Sequence, residues 1–267
     1  MKASSCCRKM RNSPIRTSKL GGDRQSLSPK PAQIELIKSI GRINPNTVVA
    51  LVCGGMIMTR EWEDHVPAIL YSWYAGMEGG SALARVLFGD VNPSGKLPFS
   101  IPRDESHLPY FSSTDSEITY DLYHGYTLLE KNGHEAAYPF GFGLSYTTFE
   151  YGEPQVRRVG DRVEVSVELR NTGVMAGEEV VQVYVGMKAS VVDRPKKLLK
   201  GFEKVYLGPG GSKVVSIPVD IDELRYYCTE RKTWILEPGT YLFCIGSSSG
   251  DRSLKVKALD ISGVSDH

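Results

Sequence analysis

From about residue 155 onward the apolar residues of this chain fall at every second position. Val163, Val165, Val167 and Leu169 alternate with polar neighbours, the Asn171-Thr-Gly173 turn follows, and Val180-Val-Gln-Val-Tyr-Val185 continues the pattern. Successive side chains of a strand point to opposite faces, so this spacing demands a sheet with one face buried. Further strand signals lie at 198–207, 213–219, 234–236, 240–245 and 254–259, with Gly208-Pro-Gly-Gly211 and Glu237-Pro-Gly239 as turns between them. Together with a strand near 149–156, so many short antiparallel candidates predict an all-β sandwich over 150–261.

The section before it is built differently. Ile34, Ile37 and Ile40 stand at helical spacing, Leu36 widens that face, and Gly41 is a candidate stop. Thr47-Val-Val-Ala-Leu-Val52 is a short β-branched run of the kind a parallel strand shows when both faces are covered, and Gly54-Gly55 ends it. Ala68-Ile-Leu-Tyr-Ser-Trp73 reads as another strand, and Gly79-Gly80-Ser81 opens a helix carrying Ala82, Leu83, Val86 and Leu87. The order predicts an incomplete α/β domain over 21–145. Within it, Gly89-Asp-Val-Asn-Pro-Ser-Gly-Lys-Leu-Pro98 and Pro139-Phe-Gly-Phe-Gly-Leu144 are long ordered loops. They read either as a crossover between domains or as backbone shaped for close approach to a ligand.

Charge and composition exclude several function classes. Lys plus Arg total 32 against 31 Asp plus Glu, so no global field draws nucleic acid or an anionic membrane. The bias is local: residues 1–20 carry Lys2, Arg8, Lys9, Arg11, Arg16 and Lys19 with no acid, and read as a disordered or aberrant basic extension. That stretch lacks the apolar run of a secretory signal, so a cytoplasmic location is expected, with organellar targeting as the alternative. Cys6, Cys7, Cys53, Cys228 and Cys244 have no zinc-ligand spacing, and His65, His107, His124, His134 and His267 form no HExxH motif. No metal is expected. Gly76-Met-Glu-Gly-Gly80 lacks both the dinucleotide fingerprint and the P-loop lysine, so no cofactor is expected either.

Acid/base cleavage of a glycosidic bond needs two opposed carboxyl groups. Glu61, Glu63 and Asp64 surround Trp62, and Glu78 precedes Gly79-Gly80. An indole face suits the C–H surface of a sugar, so Trp62 is either a sugar-stacking residue or a packing residue. Glu78 either faces substrate or accepts from the amides of a helix start. Asp23 and Arg24 form a charged pair that is either near a substrate or structural.

Three segments together carry more information than any single residue. Trp73-Tyr-Ala-Gly-Met-Glu-Gly-Gly80, Leu87-Phe-Gly-Asp-Val-Asn-Pro-Ser-Gly-Lys-Leu-Pro98 and Tyr138-Pro-Phe-Gly-Phe-Gly-Leu-Ser-Tyr-Thr-Thr-Phe149 resemble, in order, the C-terminal region of glycoside hydrolase family 3. The residues after Phe149 resemble that family's fibronectin type III-like domain, and the resemblance runs from about Gly21 to Ile261. It implies an enzyme of a TIM-like barrel, an α/β-sandwich domain and a terminal β sandwich, acting on β-linked glucosides or related glycosides with retention. Its nucleophilic aspartate belongs to the barrel, and its acid/base glutamate sits in many members shortly before a Gly-x-Asp-Arg motif. Here Arg16-Thr-Ser-Lys-Leu20 precedes Gly21-Gly22-Asp23-Arg24, with no acid from Met1 through Gly22, so no catalytic residue is assigned.

The resemblance therefore implies an accessory fragment of a β-glucosidase-like hydrolase, inactive alone, with a missing or separately encoded barrel as partner and a β-glucoside as ligand. The alternatives are a carbohydrate-binding or scaffolding module and one subunit of a split glycosidase. Apolar surface near Trp62, Trp73 and Tyr74, meant for another domain, is expected to be exposed and to promote self-association.

Overall fold

The computed structural model describes residues 26–112 and 115–262. An α/β section is followed by a β sandwich, and the described residues form two compact units. The first runs to Val91 and resumes over Phe99–Tyr138; the second takes Asn92–Pro98 and everything from Pro139. The loop 139–144 and the first glycine- and proline-rich loop from Asn92 onward thus belong with the sandwich.

In the first unit, helix α1 (Pro31–Ile43) leads into strand β1 (Val48–Leu51), which pairs in parallel with β2 (Ala68–Tyr71). Helix α2 (Gly79–Leu87) follows, then the short antiparallel pair β3 (Ile101–Pro102) and β4 (Ala136–Tyr138), with helix α3 (Gly125–Asn132) between them in sequence. Pro31 occupies the first turn of α1, where a missing N–H costs nothing, and the Lys30 amide donates to Gln33 Oε1 at 3.0 Å. Gly41 does not stop this helix. A Cβ there would lie 2.1 Å from the His65 carbonyl oxygen, so the glycine is a notch that lets α1 touch the turn Glu63–His65. The stop comes at Asn44, whose carboxamide accepts from the Asn46 amide at 3.0 Å and whose carbonyl accepts from Thr47 Oγ1 at 2.7 Å.

Ile34, Leu51, Cys53, Ile57 and Trp62 form the buried core of this unit, with Ile37, Val49, Val66, Ile69 and Tyr71 packed against it. The helical spacing divides between two faces. Ile34 and Ile37 turn inward, whereas Leu36, Ile40 and Ile43 are exposed. Strand β2 ends at Tyr71 rather than Trp73, because Trp73 takes a left-handed φ of 49° that no strand accommodates. Among the described residues the parallel sheet has these two strands, and Val48 is exposed despite a sequence suited to burial on both faces.

The second unit packs two four-stranded sheets. One joins β10 (Ser212–Asp220), β7 (Arg162–Asn171), β5 (Phe149–Tyr151) and β6 (Gln155–Val159). The other has the order β14 (Lys255–Ile261), β13 (Gly239–Gly246), β8 (Gly177–Met187), β9 (Leu198–Leu207). A hairpin of β11 (Tyr226–Cys228) and β12 (Thr233–Ile235) stands beside them in the chain. Strands β5 and β6 both pair with β7 and act as one edge strand interrupted at Gly152-Glu-Pro154, where proline cannot donate to a ladder. The alternating residues Val163, Val165, Val167 and Leu169 are all buried and meet Val181, Val183, Val215, Ile217, Phe243 and Ile245 in one core.

Strand β8 breaks the alternation and is buried on both faces from Val181 to Gly186. The cover is the Phe-Gly-Phe-Gly loop. Gln182 Nε2 donates to Gly141 O at 3.1 Å and to Ser247 O, and its Oε1 accepts from Tyr184 Oη. Gly141 has φ +82°, and a Cβ there would stand 2.1 Å from Gln182 Oε1. The other loop locks against this one: Leu97 N donates to Phe142 O and Gly141 N to Leu97 O, both at 2.8 Å. Lys96 Nζ reaches Gly143 O at 3.0 Å and the buried Glu179 carboxylate at 2.8 Å. Tyr151 shares that carboxylate at 3.3 Å, and burial followed by the Glu179 charge pushes its phenol well above the usual range.

Candidate functional site

In open α/β sheets ligands gather outside the carboxyl ends of parallel strands, so the loops leaving β1 and β2 are where the first unit can hold chemistry. Leu51 and Tyr71 pair in register, and Ser72 N donates to Leu51 O at 2.8 Å, which carries the pairing one step further. Beyond it, the segment after β1 stays in contact with Tyr71 and Tyr74. Tyr71 Oη donates to Gly55 O, and the Tyr74 ring lies against Gly54, where a Cβ would stand 2.7 Å from it. The left-handed Trp73 swings its indole against Tyr71, with ring centroids 4.9 Å apart, and against Phe99 at 5.6 Å. This aromatic cluster fixes the loop base. The tip projects: Tyr74 is 67% exposed and Met77 98% exposed, with Gly76 at φ +71° between them.

Glu78 is exposed at the N-cap of α2. Its carbonyl accepts from Ala82 N at 2.9 Å, but its side chain makes no capping bond, so it does not accept from the helix-start amides. The carboxylate is thus presented on the loop that the parallel strands support. Trp62 does not share that surface. It is fully enclosed, its Nε1 donates to Met58 O at 3.0 Å, and it packs with Ile34, Leu51, Cys53 and Ile57. A sugar cannot stack on it, and the apolar surface expected near Trp62, Trp73 and Tyr74 reduces to Tyr74, with Trp73 half-buried. Asp23 and Arg24 lie outside the described residues.

Of the acids beside Trp62, Glu61 and Asp64 are exposed and Glu63 does structural work. Glu63 accepts from Thr59 Oγ1 and sits against Tyr138, whose phenol is pushed up to about 12 by burial first and by the Glu63 carboxylate second. A general acid for a leaving sugar needs its proton held above the ordinary carboxyl range. The carboxyl groups whose titration is clearly displaced among the described residues move the other way. Bonds from the Ser106 amide and hydroxyl lower Asp104, and Lys204 followed by Ser94 lowers Glu178. Burial pushes Asp251 up, but bonds from Ser253 and Ser247 outweigh it and hold it low. Among the described residues no group of three or more His, Cys, Asp and Glu side chains could hold a metal ion.

Residues 9–146 match the glycosyl hydrolase family 3 C-terminal domain. The chain belongs to glycosyl hydrolase family 3. Residues 179–249 match a fibronectin type III-like domain, which places the family's two C-terminal modules in the order the fold shows. The thermostable beta-glucosidase B of Acetivibrio thermocellus is 43% identical over 88% of the chain and 32% of its own length. A beta-xylosidase from Formosa agariphila is 38% identical over 90% of the chain and 33% of its own length. Among solved structures, the GH3 beta-glucosidase of Bifidobacterium adolescentis superposes with a TM-score of 0.85 at 34% identity, over 91% of this chain and 37% of that one. The beta-glucosidase of Kluyveromyces marxianus gives 0.85 at 38% identity, over 91% and 30%. The chain thus spans about a third of the length of the family 3 enzymes it matches, their C-terminal part.

Sequence reasoning recognised the loop 73–80 through family resemblance, and the structure places Glu78 on it. It could not find that Gly54 lies against the ring of Tyr74, twenty residues later.

Proposed function

We propose that this chain is the accessory C-terminal part of a β-glucosidase-like glycoside hydrolase, and that a TIM-like barrel supplies the catalytic carboxylates that it lacks. The observation that carries this reading is the exposed Tyr74-to-Glu78 loop at the carboxyl end of a parallel strand pair, in a chain matching the C-terminal third of glycosidases. Tyr74 and Met77 offer apolar contact to a covering domain or a sugar, and Glu78 offers an acceptor for hydroxyls. Glu78 is the one acid in the loop from Trp73 to Gly80, and hydrolysis needs two opposed carboxyl groups, so this reading assigns the others to a further protein surface.

The test is complementation. The purified chain is expected to leave an aryl β-glucoside uncleaved. Adding the barrel-bearing remainder of the thermostable beta-glucosidase B is expected to restore turnover, and Glu78→Gln to lower the restored rate by about tenfold or more. Turnover by the chain alone that survives repurification and disappears in Glu78→Gln would overturn the accessory reading. Sugar binding without any restored turnover would favour a carbohydrate-binding or scaffolding module instead.

A further inference from the structure

We propose that the hollow formed by residues 109–110, 117–123 and Leu128 of helix α3 is a binding site for a neutral pyranoside. It has a volume of about 410 Å³ and is lined by Tyr110, Tyr120 and Tyr123 with Glu117, Thr119 and Asp121 among the polar groups. That volume falls within the range of small-molecule sites, about 300–1,000 Å³. The lining holds two carboxylates, Glu117 and Asp121, and neither Lys nor Arg; the nearby Lys131 ammonium is turned onto the Tyr123 ring, so the wall itself disfavours an anionic ligand.

The arrangement suits a sugar on two counts. Tyr110 and Tyr120 are 69% and 52% exposed, which leaves ring surface free for the C–H face of a pyranose. Glu117 and Asp121 are acceptors without donors of their own when ionised, the complement of sugar hydroxyls. Several parts are already held in place. Tyr110 Oη donates to Asp115 Oδ2 at 2.8 Å, Asp121 Oδ1 accepts from the Tyr123 amide at 2.7 Å, and Lys131 Nζ lies 3.5 Å over the Tyr123 ring. Groups fixed before the ligand arrives lose less freedom on binding. The choice of a hexose among neutral polyols rests on the proposed function.

Calorimetric titration and saturation-transfer NMR of the full chain with cellobiose test this directly. The expected result is saturable binding with a dissociation constant on the order of 1 mM, weakened by about tenfold in Tyr120→Ala and independently in Tyr110→Ala. Trp234→Ala, at an exposed indole of the other unit, is expected to leave binding unchanged. Near-ultraviolet circular dichroism and the melting temperature establish that each variant folds. Absence of saturable binding, wild-type affinity in both tyrosine variants, or loss in Trp234→Ala overturns the site. Tetramethylammonium displacing cellobiose with the tighter affinity overturns the neutral-ligand assignment in favour of an organic cation. Binding is read without turnover, so its failure is separable from failure of complementation.

Discussion

Tyr138 shows how one residue's surroundings become a property of its unit. Its phenol sits partly buried against the Glu63 carboxylate and titrates at about 12 instead of 10.0. In the unfolded chain it ionises at the ordinary value, so above pH 10 the unfolded state has released a proton that the folded state still holds. Stability therefore falls as pH rises from about 10 to 12. Because the ring is only about half-buried, solvent screening reduces the full linkage to about 1 kcal/mol. Chemical denaturation of wild type and Tyr138→Phe across that window is expected to show this part of the alkaline loss in wild type alone. Equal slopes in the two proteins would reject the assignment. Trp62 makes the complementary point about legibility. Its acidic neighbours suggested a sugar site, yet the sequence could not show that the 3-10 turn rolls the indole into the core, because Ile34 and Leu51 meet it only through the fold.

At the scale of elements, α1 inverts an ordinary expectation. Replacing a helix-interior glycine with alanine normally stabilises by about 1 kcal/mol. In Gly41→Ala the new methyl would press on the rigid His65 carbonyl, so the variant is expected to lose about 1–3 kcal/mol in urea denaturation. A gain in stability would show that the turn yields easily. The elements most legible from sequence were the sandwich strands, since β7 and β10 have one buried face each and write their alternation directly into the residues. Strand β8 was legible as a strand, but not its double burial, because its cover comes from the loop around Gly141. Helix α3 went unread: it is short, starts at a glycine with φ +54°, and stops at Gly133 in the left-handed region. The hollow it helps line was equally invisible, since Tyr110 and Leu128 come together only once that helix forms.

For the whole molecule, α1 leaves Leu36, Ile40 and Ile43 bare on the face opposite its packed isoleucines, and two parallel strands are a small sheet. The isolated chain is expected to self-associate through this stripe. Sedimentation velocity should show concentration-dependent oligomers in wild type and a shift toward monomer in the double variant Leu36→Lys/Ile43→Lys; a monomeric wild type at high concentration would reject the expectation. The allotment of Asn92–Pro98 to the second unit has a different consequence. The polypeptide passes between the units at residues 91–92, 98–99 and 138–139. A recombination event with a single breakpoint at the first of these strands 99–138 with the wrong partner, and one at the last strands 92–98. Exchange of either unit for a foreign one requires coordinated breakpoints, so a lineage that shuffles its modules is expected to transmit these two as a linked pair.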